Sequence, residues 1–321
     1  SAASDVYKRQ AVGSWFAREV EKLPMGGLPE PDLLVYTTSA CVTYYKWWDL
    51  YKFYFNKPLI YVNTPRIMDE IEDYYVDFTM KEIQRAIGEL EKFLGKKIPE
   101  EKIAEVVKYS DQLVEYWHKM LELQKTVPAP AGLNDISNIL FLLVALPGTK
   151  EAVDIAKQAY EEMRERADKK IGNVSDEKHR LMWLNIPMWY NLGLTNYFED
   201  RGCAIPISDY TNYIWGVPRL DKPDPIESLA IKALKGELNE SVEYYVDWML
   251  RDIKEYKLDG VVIHSNRSCK VLSVGLLDAA KIIRETYDIP VLIIESDHTD
   301  DRAYSDAEVK TRIDAFIESL G

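Results

Sequence analysis

Cysteine is the residue of widest chemical range in this chain, and it occurs three times, as Cys41, Cys203 and Cys269. Two of these share a context. Cys41 follows the apolar run LLVYTTSA and opens a helical segment, and Cys269 follows VVIHSNRS and opens another. Such runs read as buried strands, so each cysteine falls where the carboxyl end of a parallel strand meets a helix N-terminus. The helix dipole and unpaired N–H groups at that place stabilise a thiolate, which suits it to metal binding or to nucleophilic attack. Burial as a small apolar side chain is the alternative for both, and no CxxC spacing marks a metal site by itself. Cys203 opens the strand CAIPIS, at the wrong end for the crevice, and reads as structural.

The elements that must position these thiols alternate in type along the chain. DLLVYTTS reads as a strand from Leu33 to Tyr36, followed by a helix from Cys41 to about Phe55 and a strand from Pro58, a βαβ unit with a parallel sheet. From Arg66 to about Lys170 the apolar residues recur three and four apart with Glu and Lys between, which predicts a helical region. Within it, Asn134 or Asp135 is expected to cap a helix whose run ILFLLVAL is expected to be buried. Four short apolar strands then alternate with helices: RLMWLNI, CAIPIS, DGVVIHS and PVLIIESD, with a helix from about Val271 and a final one from Asp306. The fold class is α/β, with two flavodoxin-like parallel-sheet domains and a helical region between them. The expected divisions are 1–10, 11–65 (a partial N-terminal α/β domain), 66–175 (helical) and 176–321 (C-terminal α/β). Residues 1–10, SAASDVYKRQ, continue neither strand nor helix periodicity and are expected to be foreign sequence.

The net charge of −13 lacks the basic face that phosphate backbones require, which argues against nucleic-acid binding. No run approaches the roughly 20 apolar residues that cross a bilayer, and no signal peptide is visible, so a cytoplasmic location without membrane contact is expected. Three cysteines make a disulfide framework an unsuitable reading. No Gly-rich phosphate loop is present.

The stretches GGLPEPDLLVYTTSACVTYYKWWDLYKFYFNKPLIYVNTP, PAPAGLNDISN, RLMWLNIPMWYNLGLTNYFEDRG and DGVVIHSNRSCK, with IPVLIIESDHTDDRAYSDAEVKTRIDAFIE, resemble subunits of the 2-hydroxyacyl-CoA dehydratase and benzoyl-CoA reductase family from about Ala11 onward. The resemblance implies a subunit that holds a four-iron, four-sulfur cluster through three cysteines, faces a homologous second subunit, and receives one electron from an ATP-hydrolysing iron–sulfur activator. In the dehydratases, that electron makes a ketyl radical of an (R)-2-hydroxyacyl-CoA, from which hydroxide leaves. In the reductases, electrons enter an aromatic ring. Cys41 in SACVTYYKW and Cys269 in HSNRSCK match two ligands of the family, whereas its third precedes the SWFARE stretch and has no cysteine here.

Beside Cys269, His264 and Ser265 are candidates for a proton shuttle, and Asn266, Arg267 and Lys270 for donors to sulfide or to thioester oxygen. Glu295 and Asp297 end the next strand, where a carboxylate can accept a proton or pair with Arg267 or Arg302. Each has a structural alternative: a satisfied strand-end histidine, a surface ion pair, a helix cap. Trp47, Trp48, Trp183 and Trp189 can shield a radical from water or simply pack the core. Three readings follow: a dehydratase subunit, an aryl-CoA dearomatising subunit, and a scaffold subunit without a working cluster.

Overall fold

The computed structural model describes residues 30–39, 41–67, 70–215, 217–235, 239 and 241–321; the 1–10 segment and the SWFARE stretch lie outside the described residues. The smaller sheet pairs β1 (Leu34–Thr37) with β2 (Leu59–Val62) in parallel, Leu34 opposite Leu59. Parallel neighbours require a crossover, which α1 (Val42–Phe55) supplies. Trp47, Trp48, Tyr51 and Phe55 recur on one face of α1 and pack on Leu34 and Leu59. The Trp48 indole N–H also donates to Val35 O at 2.7 Å, tying helix to strand.

The helical region comprises α2 (Asp73–Leu94), α3 (Glu100–Leu123), α4 (Leu133–Ala145) and α5 (Lys150–Asp168). Its core gathers Leu113, Trp117 and Met120 of α3 with Ile136 and Leu140 of α4 and Ala152 and Ala156 of α5. Two expectations are corrected here. Gly132, rather than Asn134 or Asp135, caps α4: Asp135 reaches back to accept the Gly132 N–H at 3.0 Å. A Cβ at 132 would stand 2.6 Å from the Asn173 side-chain nitrogen and 2.7 Å from a Glu199 carboxylate oxygen, so a larger residue there must displace those side chains. Nor is α4 buried all round: Leu140 and Leu143 face the core, while Phe141 and Val144 are 56% and 44% exposed.

The larger sheet consists of β3 (His179–Leu184), β4 (Cys203–Ser208), β5 (Gly260–Asn266) and β6 (Val291–Ser296), all parallel, in the order β4-β3-β5-β6. Relabelled within this sheet the order is 2-1-3-4, the flavodoxin-like winding, with its reversal between β3 and β5. Helices α6 (Leu194–Glu199) and α11 (Asp306–Glu318) cover one face; α8 (Val242–Glu255) and α10 (Leu276–Tyr287) cover the other. Double coverage explains why β3 and β4 read as unbroken apolar runs. Pro206 is tolerated because β4 is an edge strand and the pairing with β3 shifts register beside it. Helix α7 (Pro225–Leu234) packs on α2 and joins the helical region to this domain.

The expected helix from Val271 divides in two. A single turn, α9 (Lys270–Ser273), ends at Val274, whose backbone is extended, and Gly275 takes φ +90 before α10 begins. The break lets Ser273 donate to Asn266 O at 2.7 Å while Leu276, Ala279 and Ile283 turn into the core. One turn carries a smaller dipole than the long helix expected after Cys269. Among the described residues no helix is long and apolar enough to cross a membrane.

Arg180, 4% exposed at the start of β3, locks the helical region to the sheet. Its guanidinium pairs with Glu177 and donates to the carbonyls of Gln124 at 2.8 Å, Thr126 at 3.1 Å and Tyr256 at 2.7 Å. Replacing it by Met removes the counter-charge of the buried Glu177, which keeps only the Ala129 N–H, and takes a donor from three carbonyls. Denaturant unfolding of Arg180→Met should show a loss of about 3–5 kcal/mol; a loss under about 1 kcal/mol would contradict this role.

Candidate functional site

Every strand of the larger sheet is followed or closed by an amide or carboxylate: Asn185 after β3, Asp209 after β4, Asn266 at the end of β5 and Asp297 after β6. All four are buried, which requires partners. Asp209 accepts the Asn185 N–H at 2.7 and 2.9 Å and the Tyr245 hydroxyl. The Asn185 amide reaches Ser273 Oγ at 3.1 Å, and Ser273 bonds Asn266 O, so a polar chain crosses the switch point from α8 to the strand carrying Cys269. Complete burial pushes the Asp209 carboxyl up to about 6 against the hydrogen bonds it accepts. Burial also raises Asp297, but the Ser268 hydroxyl and the N–H groups of Thr299 and Asp300 outweigh it and hold this carboxyl below its usual range.

His264 lies beneath this rim, fully buried beside Trp183. Its Nδ1 meets the Ile186 carbonyl at 2.6 Å. A carbonyl can only accept, so Nδ1 carries the proton and Nε2 presents a lone pair, for which the described residues provide no partner. Burial lowers its pKa and keeps the ring neutral.

The residues expected to act together divide between the two faces of β5. His264 and Asn266 point to the face covered by α6 and α11, where the Asn266 amide meets His298 Nδ1 at 2.9 Å. Ser265 is half-buried on the opposite face, in register with Glu295. Arg267 pairs with Glu295 at 2.8 Å on the surface, both at least half exposed, and Lys270 is exposed. Arg302 is bound to Asp300 rather than to Glu295.

Cys41 is the N-cap of α1 and Cys269 that of α9; both are partly exposed and neither is in a disulfide. Cys203 is fully buried, and burial pushes its thiol up to about 11, which keeps it protonated and inert. Next to Cys41, the Tyr36 hydroxyl donates to Cys41 O at 3.3 Å, and the Tyr36 and Tyr44 phenols are raised by burial and then by the cysteine.

A cavity of about 620 Å³ opens here. Tyr36, Tyr44 and Trp48 line it from the Cys41 side, Phe141 and Val144 from α4, and Trp189 and Tyr210 from the larger domain. The Trp189 N–H donates to His298 O at 3.0 Å, and His298 touches Asn266, three positions before Cys269. The cavity is thus lined from the Cys41 side, and the Cys269 element connects to its wall through Asn266, His298 and Trp189. Sequence reasoning missed Asp209, Tyr245 and the α4 wall. The repeated Asn or Asp after each strand was the available signal for the first, and the excess apolar content of ILFLLVAL for the last.

The donor set fits an iron–sulfur cluster in kind, since soft thiolates at accessible strand ends are its usual ligands, and supplies two of them. Among the described residues no three His, Cys, Asp or Glu side chains stand together as a metal site.

Fold and rim define a doubly wound α/β protein with an aromatic cavity between the smaller sheet, α4 and the segments after β3 and β4. The chain belongs to the family of the 2-hydroxyglutaryl-CoA dehydratase D-component, whose profile matches residues 7–320. It is 28% identical to the alpha chain of lactoyl-CoA dehydratase from Anaerotignum propionicum, over 92% of this chain and 71% of that one. Identity is 27% to one of the chains of benzoyl-CoA reductase from Thauera aromatica, over 91% and 71%. It is 25% to the alpha chain of (R)-2-hydroxyglutaryl-CoA dehydratase from Acidaminococcus fermentans, over 91% and 61%.

The tautomer of His264 is open to direct test by nitrogen-15 NMR. Between pH 6.5 and 8 its Nε2 should resonate as an unprotonated imidazole nitrogen; an imidazolium signal in that range would contradict the assignment.

Proposed function

We propose that this chain is the iron–sulfur subunit of a 2-hydroxyacyl-CoA dehydratase, removing water from an (R)-2-hydroxyacyl-CoA. The observation that carries the reading is the matching placement of Cys41 and Cys269, each partly exposed at a helix N-terminus beyond the carboxyl end of a parallel strand. Cys41 and Cys269 would hold a four-iron, four-sulfur cluster as two of its ligands. When bound, it would supply the low-potential one-electron chemistry that loss of the 2-hydroxyl from the thioester requires.

The protein's own groups do the rest. Aromatic walls exclude water from the acyl chain, which protects a radical from solvent. His264, neutral with an unpartnered Nε2, accepts a proton on the buried face, and Asn266 is held by His298 to orient the thioester oxygen. On the exposed face, Arg267 and Lys270 meet the phosphates of CoA, Glu295 fixes the Arg267 fork, and Ser265 relays protons to solvent. A homologous second subunit completes the enzyme, and an ATP-hydrolysing iron–sulfur activator delivers the electron. The aromatic lining also suits aryl-CoA reduction, the activity named for the Thauera relative.

Anaerobic reconstitution of the chain with its partner, followed by iron and sulfide counting and product analysis, tests this. Cys41→Ser and Cys269→Ser should each lose bound iron and lower turnover by at least about 100-fold, whereas Cys203→Ser should retain both. Undiminished iron in the first two variants would contradict the ligand assignment. No iron in the parent protein would favour a scaffold role, and a ring-reduced product without water loss would favour the aryl-CoA reading.

A further inference from the structure

Of the four amides and carboxylates on the rim, Asn185 alone has a left-handed backbone, at φ +80, and it is fully buried. Such a conformation is strained for a residue with a side chain and persists only where its surroundings hold it. Every polar group of Asn185 is engaged. Its N–H lies 2.7 and 2.9 Å from the two oxygens of Asp209, and its carbonyl accepts the Trp183 indole N–H at 3.0 Å. Its Oδ1 accepts the Ile186 N–H at 2.7 Å, and its Nδ2 donates to Ser273 Oγ at 3.1 Å. Two arms leave this turn. One places the Ile186 carbonyl 2.6 Å from His264 Nδ1. The other holds Ser273, whose Oγ donates to Asn266 O at 2.7 Å and whose N–H donates to Cys269 O at 3.1 Å. Asp209 itself is fully buried and accepts the hydroxyl of Tyr245, a ring packed against Tyr213 and Trp248. Among the described residues its partners are N–H and hydroxyl groups, not cations. A buried carboxylate without a counter-ion is a cost that an apolar residue would not carry, which points to a task other than stability.

We propose that Asp209, clamped by Tyr245, is the positioning residue of the site: through the strained turn at Asn185 it fixes the Ile186 carbonyl on His264 and the Ser273 bridge on Cys269, so that one buried carboxylate sets the tautomer of the first and the place of the second. This rests on the dehydratase reading above, in which His264 accepts a proton and Cys269 is a cluster ligand, and it adds the group that keeps both in place. Outer hydrogen bonds of this kind orient bases and ligands that they do not themselves replace. The constraint is carried by a chain in which each polar atom of Asn185 has a partner, and such fully satisfied buried networks rigidify what they connect. The two arms are separable, because Ser273 belongs to the Cys269 arm and Ile186 to the His264 arm.

The test uses the full chain before any cluster is loaded, with nitrogen-15 labelled histidine and with alkylation rates followed at each cysteine by peptide mass spectrometry. In the parent protein His264 should be a single Nδ1-protonated tautomer. Asp209→Asn keeps the shape but turns one acceptor into a donor. It should bring a second, Nε2-protonated form of His264 into view and raise the alkylation rate of Cys269 about three- to tenfold, the effect of one lost hydrogen bond, with Cys41 reacting as in the parent. Tyr245→Phe, which keeps the ring, should move both readouts in the same direction and by less. Ser273→Ala should speed Cys269 alone and leave the His264 signal unchanged. Parent-like values of both readouts in Asp209→Asn and Tyr245→Phe would overturn the proposal, and so would acceleration at all three cysteines in both variants, which is the mark of a merely structural role. Because neither readout uses iron or substrate, failure here leaves the dehydratase reading standing, and failure of the parent to bind iron leaves this one standing.

Discussion

Parallel pairing is the constraint from which the rest of this molecule follows. Strands that run the same way deliver all their carboxyl ends to one edge of the sheet, and each must be followed by a helix that returns the chain. In the order β4-β3-β5-β6 the return paths diverge between β3 and β5, which leaves a crevice there that no crossover fills. Asn185, Asp209, Asn266 and Asp297 collect on that rim because each terminates or follows a strand. Their mutual hydrogen bonds allow buried polar groups to persist in a setting that would otherwise expel them. Cys269 belongs to the same rim, three positions after Asn266, and Cys41 occupies the equivalent place after β1.

A second constraint fixes the distance over which the two sheets can cooperate. The helical region presents α4 to the smaller sheet and to the turn after β4, and Arg180 pins the end of α3 to β3 and to the end of α8. With those attachments, Phe141 and Val144 are held away from the helical core and form a cavity wall. Rigid attachment matters for a site that has to keep water from a reactive centre.

The sequence reveals most of the architecture because periodicity reports burial. Two-sided burial makes β3 and β4 continuous apolar runs, and the Glu- and Lys-rich stretch after Arg66 shows one-sided helices. The cysteine positions are legible for the same reason, since a strand that ends in a cysteine before a helix can end at only one edge. Departures occur where tertiary contact overrides local signal. Gly132 takes the cap position in place of Asn134 and Asp135, with Asp135 turned back to accept its N–H, and the helix after Cys269 breaks at Val274 and Gly275, where Ser273 bonds Asn266 O. The division of His264 and Asn266 from Ser265 follows strand alternation, with α6 and α11 over the first pair and α8 and α10 over the opposite face.

The central claim is that sulfur from two separate sheets converges on one centre. Cross-linking of the protein before reconstitution, with a short bismaleimide and peptide mass spectrometry, tests that convergence without any metal. Cys203 is sealed in the core, so the account predicts one intramolecular bridge joining the Cys41 and Cys269 peptides. Two independent single adducts, with no bridged peptide, would contradict it.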